Sequence, residues 1–198
     1  MNGQASVASA FRSVYHEPME YSVISVVGPD SIGIMETIAA AVAEIGANIE
    51  ETRASILGGE FAVIMLVSGK EGSGHALGKS LPKALAGKGM TISIRPTTLT
   101  GHAAGIPYVI ESLSLDTPGI VRAVTQALLA QSINIENLEC TVASAPLSGS
   151  PMFKMRIAVN ITPGNKLALL KSELARVAEA HDLDISVRPL RSSDRDLE

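Results

Sequence analysis

A chain of 198 residues that is 46% hydrophobic, 18% charged and 3% aromatic is too apolar for a disordered chain, and 17 Gly with 10 Pro are too few for a collagen-like or low-complexity one. Its 16 basic and 20 acidic side chains leave a net charge of −4, which gives no general attraction for a phosphate backbone. The single cysteine, Cys140, excludes an internal disulfide framework and fits a reducing cytosol; the longest apolar run, 61–67, is far short of the roughly 20 residues a membrane helix needs.

Residues 1–19 read as an N-terminal arm. They lack a basic leader and a continuous apolar stretch, so they do not read as a secretory signal. Arg12, several serines and the lone acidic Glu17 give a faint echo of an organellar transit peptide. Residues 21–27 are β-branched and apolar, a strand of the buried type. Gly28-Pro29-Asp30-Ser31 breaks it. Ile32, Met35, Ile38, Ala39, Val42 and Ile45 then recur at helical spacing. Ser31 is the expected N-cap and Gly46 the expected C-cap. A half-buried strand is expected over 48–57, a two-residue turn at Gly58-Gly59, and a returning strand over 60–68. A second helix lies within 74–88, with Leu77, Leu81 and Leu85 on one face and Pro82 expected to kink or shorten it. Residues 90–96 close the set as a strand.

The same order then returns. Strands are expected over 108–114, 133–145, 152–161 and 184–189, and helices over 118–131 and 165–181, the first opened by Thr117-Pro118. Gly33-Ile34 recurs as Gly119-Ile120 and Asn48-Ile49-Glu50 as Asn134-Ile135-Glu136, both displaced by 86 residues. Phe61 matches Phe153 at a displacement of 92, and Ile92-Ser93-Ile94-Arg95-Pro96 matches Ile185-Ser186-Val187-Arg188-Pro189 at 93. An ordered series with one small insertion, in the loop 145–151, marks two copies of one domain. The bounds are 20–96 and 108–190, with a linker over 97–107 and a charged tail over 191–198. The order βαββαβ, twice, is the split βαβ arrangement of the α+β class: two ferredoxin-like domains in tandem, each an antiparallel sheet with helices on one face. The first and third strands of each copy belong in the centre.

The residues argue against several chemistries. The first loop of each copy has neither the cysteine pair of a metal carrier nor the arginine of a phosphate cradle. Aromatics are too few on the central strands for base stacking. His16, His75, His102 and His181 are scattered, with no spacing that suggests a metal pair or a nucleophilic dyad. Cys140 reads as a small core hydrophobe. No enzyme, no cofactor and no metal site is expected. The repeated loop is more informative. A helix N-terminus exposes free N–H groups that attract carboxylates. Asp30 and Asp116 supply acceptors for an ammonium group, and Asn48 and Asn134 an amide with both donor and acceptor. Together these suit a free amino acid. Each residue also has a plainer reading as a cap or turn former.

At these positions the sequence resembles the ACT domain family of small-molecule regulatory modules. The matching pieces are Gly28-Pro29-Asp30-Ser31-Ile32-Gly33-Ile34 with Gly46-Ala47-Asn48-Ile49, and Asp116-Thr117-Pro118-Gly119-Ile120 with Ile133-Asn134-Ile135. A free-standing tandem pair is most similar to the glycine cleavage system transcriptional repressor group. The resemblance implies a cytoplasmic, amino-acid-responsive repressor or co-repressor. It would act through a protein partner such as a DNA-binding transcription factor, with no nucleic acid or membrane contact of its own. The ligand-binding positions it implies are Asp30, Ile32, Gly33, Ile34, Asn48 and Ile49, and Asp116, Gly119, Ile120, Asn134 and Ile135, with glycine or serine the favoured ligand. The second copy has Ser132 for Gly46 and Pro118 for Ile32, so the two sites are expected to differ. The alternative is an ACT scaffold that mediates assembly and binds nothing small.

Strand patterning adds an expectation about association. The run 61–67 is apolar on both sides, as in sheets covered on both faces. Its counterpart alternates, with Lys154, Arg156, Ala158 and Asn160 on one side and Glu111 available as a charged partner. The helix-free face of the first copy is therefore expected to be covered, in a homodimer or by the other copy, and that of the second to be largely wet. The inward register of the first run is left open between Met65 and Leu66.

Overall fold

The structure, a computed structural model of the chain, describes residues 19–99, 101, 105–145, 149–164 and 167–191. The expectations for the arm 1–18, for 192–198 of the tail, and for parts of the linker and of the 145–151 loop lie outside the described residues. The chain divides into two units, Met1–Thr100 and Gly101–Glu198. The first holds β1 (Met19–Pro29), α1 (Ile34–Glu44), β2 (Asn48–Leu57), β3 (Glu60–Lys70), α2 (Ser73–Ala84) and β4 (Thr91–Thr97). The second holds β5 (Ile106–Leu115), α3 (Ile120–Ala130), β6 (Ile135–Ser144), β7 (Pro151–Ile161), α4 (Leu167–His181) and β8 (Asp184–Pro189). Each unit is one antiparallel sheet, ordered β2-β3-β1-β4 or β6-β7-β5-β8, so the first and third strands are central.

Register settles which side of each strand is core. Ile24 and Val26 of β1 and Phe61, Val63, Met65 and Val67 of β3 pack with Ile34, Ile38, Val42, Leu77 and Leu81 of the helices. Ile110, Met155, Ile157 and Val159 pack with Ile120, Val124, Leu128, Leu170 and Leu174 in the second unit. Met65 is 1% exposed, so the inward register runs through it and Leu66 lies on the helix-free side. Gly58 and Gly59 take φ of 61° and 88°, both left-handed, as a tight hairpin turn requires. Pro82 sits inside α2, which ends two residues later at Ala84.

Three local expectations change. Neither Ser31 nor Thr117 caps a helix. Gly33 (φ 88°) and Gly119 (φ 100°) occupy the N-cap positions in left-handed conformation, and α1 and α3 begin one residue later. Pro118 thus lies ahead of the helix it was expected to open. The outer strand β2 is exposed along most of its length, not half-buried, because the helices lie over the central strands, and β6 is exposed likewise. Cys140 is exposed on β6 for that reason, although it pairs with the buried Met155; partial burial still pushes its thiol above the ordinary cysteine value. The helix ends agree with the reading. Gly46 ends α1 with φ 69°, and Ser132 takes its place with φ 53°, a left-handed residue without glycine's freedom. Both termini close identically, Ala47 N–H donating to Val42 O and Ile133 N–H to Leu128 O.

One contact was not legible in the sequence. Glu20 places its carboxylate at the start of α2, accepting from Gly72 N–H at 2.6 Å and Gly74 N–H at 3.2 Å. No side chain of the helix's own N-cap does this, since that residue is Gly72. Glu20→Ala is expected to lower the first unit's stability by about 1–2 kcal/mol, read as a fall in the denaturation midpoint at unchanged m-value.

Candidate functional site

In the second unit, β5 runs out at Leu115 and the chain turns through Asp116-Thr117-Pro118-Gly119 into α3. Asp116 N–H donates to Pro151 O, which ties the loop to the start of β7. A cavity of about 560 Å³ opens here. Asp116, Thr117, Gly119 and Ile120 form one wall, and Val121, Arg122, Thr125 and Phe153 complete it. Ala123 N–H already bonds to Gly119 O, so the free N–H groups of the helix end belong to the residues just before it. A Cβ built on Gly119 would meet nothing within 4 Å, so the backbone there is open to a ligand. Glycine is needed at this point for its φ, not for want of space.

This arrangement offers three chemistries together. The helix N-terminus and the Arg122 guanidinium favour an anion. Asp116 is exposed and accepts hydrogen bonds from an ammonium group. Thr125 lies one turn further along, and Phe153 and Ile120 give an apolar floor. Arg122, Thr125 and Phe153 were not expected as site residues. Arg122 is one exposed residue on the α3 surface, and only the three-dimensional position of the loop gives it a role.

The first unit places the matching loop alike, with Asp30 N–H bonded to Gly59 O and Gly33 open to within 4 Å. Its chemistry differs. Glu36 stands in the first turn of α1, where the repeat places Arg122 in α3, and Ala39 stands for Thr125. Two carboxylates, Asp30 and Glu36, at one helix end disfavour a bound carboxylate. Ile32 is fully exposed in this loop.

The structure does not bring Asn48 or Asn134 to these loops within their own units. Gly28 pairs with Phe61, while Asn48 pairs with Ser68, seven residues further along β3. At about 3.3 Å per residue that is about 23 Å, the length of the sheet. Ile49 and Ile135 share that far end. The expected cluster of acceptor, helix end and amide is therefore split, because an α-helix between two strands carries the chain from one end of the sheet to the other. The Asn48 amide donates to Glu50 Oε1 at 3.2 Å, and Ser68 Oγ donates to the same carboxylate oxygen. These bonds, Ser68 first, hold the Glu50 carboxyl below its ordinary range. The contribution is present above the unfolded carboxyl range and is lost as pH falls through the lowered value. This end of the sheet is a β-bulge, between Ile49 and Glu51, and the bulge between Ile135 and Asn137 repeats it.

Two four-stranded βαββαβ sheets in tandem, each turning from its first strand into a glycine-capped helix, define an α+β module duplicated within one chain. The model of the ACT domain matches residues 20–95, the span of the first unit, and the second unit repeats the same element order. The chain is similar to the glycine cleavage system transcriptional repressors of Escherichia coli (strain K12) and Shigella flexneri, at 32% identity over 119 residues. That match takes in 60% of this chain and 63% of those relatives, so the chain spans less than two thirds of their length. A crystal structure of an unknown protein from Galdieria sulphuraria is 32% identical, covers 88% of this chain and 100% of its own, and has a TM-score of 0.78. A further solved structure with a TM-score of 0.65 is 23% identical, over 88% of this chain, and shows the fold alone.

Among the described residues no group of three or more His, Cys, Asp or Glu is placed to hold a metal ion. Among the same residues no helix is long and apolar enough to cross a membrane.

Proposed function

We propose that this chain is an amino-acid-responsive regulatory protein without catalytic activity of its own. Its sensing site is the β5–α3 loop of the second unit. The observation that carries the reading is the cavity in which Asp116, the α3 N-terminus and Arg122 meet. An α-amino acid presents an ammonium group and a carboxylate about 3 Å apart, which is what an acceptor beside a helix end can hold. Glycine or serine is the ligand we favour, in keeping with the similarity to the glycine cleavage system repressors. In this reading Asp116, Gly119 and Ile120, which line the cavity, are ligand-binding positions. In the first unit Asp30, Ile32, Gly33 and Ile34 form the weaker or vestigial counterpart, because Glu36 replaces Arg122. Asn48, Ile49, Asn134 and Ile135 serve the sheet end and its bulge rather than this cavity.

The site is tested by melting the full chain in each of the free amino acids. A ligand at 100 times its Kd adds about 2.7 kcal/mol to the stability of the unit that binds it. For a domain of this size that raises its midpoint by about 10 °C or more. No shift with any amino acid removes the sensing reading and leaves the assembly scaffold.

The reading extends to how the signal is passed on. The working unit is a cytoplasmic homodimer in which a second copy of the chain covers the helix-free face of β1 and β3, where Val27 and Ile64 are 46% and 53% exposed. Exposed apolar faces of this kind commonly mark association surfaces. The dimer then acts on a protein partner, such as a DNA-binding transcription factor, rather than on DNA. With a net charge of −4, the purified chain is expected to show no salt-sensitive retention of a promoter fragment; tight binding that falls steeply with salt contradicts this part.

A further inference from the structure

The helix-free face of the second unit carries a second cavity, of about 400 Å³, away from the β5–α3 loop. Strand register shows what it is made of. On this face Thr141, Lys154, Leu113 and Asp184 lie side by side across β6, β7, β5 and β8. The adjacent row, two residues along each strand, is Glu139, Arg156, Glu111 and Ser186. These two rows are the cavity floor.

The rows are in different electrostatic states. In one, Glu111 is paired with Arg156 at 3.7 Å, and with Arg188 of the next row at 3.2 Å. In the other row, Lys154 and Asp184 make no side-chain hydrogen bond or ion pair among the described residues. They stand on either side of Leu113, which is 39% exposed. Two strand spacings separate their backbones, about 10 Å. A cation, an apolar floor and an anion thus lie in one line within a concave space of ligand size.

The first unit has the same grid without the chemistry. The positions of Lys154, Leu113 and Asp184 are held there by Ala62, Val27 and Thr91, and those of Arg156 and Glu111 by Ile64 and Ser25. Folding of this sheet therefore does not require the charges. They belong to the second copy alone, where a cavity accompanies them.

We infer that this cavity is a second small-molecule site, for a zwitterion whose two charges are separated by a short apolar body. The carboxylate faces Lys154, the ammonium group faces Asp184, and the methylenes lie over Leu113. This site is independent of the loop site proposed above, and neither reading needs the other.

The test is calorimetric titration of the full chain with 4-aminobutyrate, with butyrate and butylamine as single-charge controls. Binding of 4-aminobutyrate at least ten-fold tighter than either control is expected. Lys154→Met and Asp184→Asn should each weaken it ten-fold or more with unchanged melting midpoints, and Arg122→Glu should leave it unaltered. No heat with 4-aminobutyrate, equal binding of the controls, or binding indifferent to Lys154→Met and Asp184→Asn overturns the inference. Glycine or serine binding that is lost on Arg122→Glu alone bears on the loop site and not on this one, so the two readings fail separately.

Discussion

Met65→Lys is expected to unfold the first unit, while Leu66→Lys leaves it folded. The two residues are adjacent on β3 and point to opposite faces of the sheet. Met65 is 1% exposed and packs in the core beneath α1 and α2. A lysine there buries an ammonium group with no carboxylate partner and also loses the methionine's packing. A penalty of several kcal/mol from an unpaired buried charge consumes most of a small domain's stability, which is about 5–15 kcal/mol for globular proteins in general. Leu66 is half-buried on the helix-free side, next to the exposed Ile64, where a lysine can carry its charge to water. Circular dichroism melting of both variants reads the difference directly. The same pair bears on association: Leu66→Lys is expected to shift the full chain toward monomer in sedimentation, with its melting little changed. A folded Met65→Lys protein would contradict the register.

The second large effect is at Arg122. Arg122→Glu reverses the charge beside the α3 N-terminus and sets a second carboxylate near Asp116 at the cavity. It removes one attraction for a ligand carboxylate and adds one repulsion. A loss of 100-fold or more in glycine or serine affinity is expected, equivalent to about 2.7 kcal/mol. Arg122 is exposed, so fold stability should hold. The variant also makes the second site resemble the first, which already carries Glu36 at that position. If the first site binds as well as the second, this comparison fails.

Much of the fold was legible because duplication printed it twice. The Gly-Ile and Asn-Ile matches fixed the element order, and the hairpin glycines and Gly46 fall where the backbone takes left-handed φ. Three things were not legible, for physical reasons. Helix starts were misread at Ser31 and Thr117, since a left-handed glycine can open a helix without a side-chain cap. Burial of β2 and of Cys140 was overestimated, because alternation along a strand does not say whether a helix lies over it. The site was half legible. Asp116, Gly119 and Ile120 line one cavity, but Asn134 belongs to the far end of the sheet, and one-dimensional repetition cannot distinguish the two ends of a helix. Arg122 and Thr125 gave no signal, since they break the repeat, with Glu36 and Ala39 at the matching positions of the first copy. Glu111, by contrast, was legible: expected as a charged partner of the alternating strand, it lies 3.7 Å from Arg156.

The proposed ligand is a free amino acid, bound in the cavity where Asp116, the α3 N-terminus and Arg122 meet. Calorimetric titration of glycine and serine into the full chain, beside Arg122→Glu and Asn134→Ala, tests it most directly. Saturable binding by the unaltered chain is expected, lost in Arg122→Glu and retained in Asn134→Ala. Binding that survives Arg122→Glu, or that Asn134→Ala abolishes in a chain still folded, would contradict it.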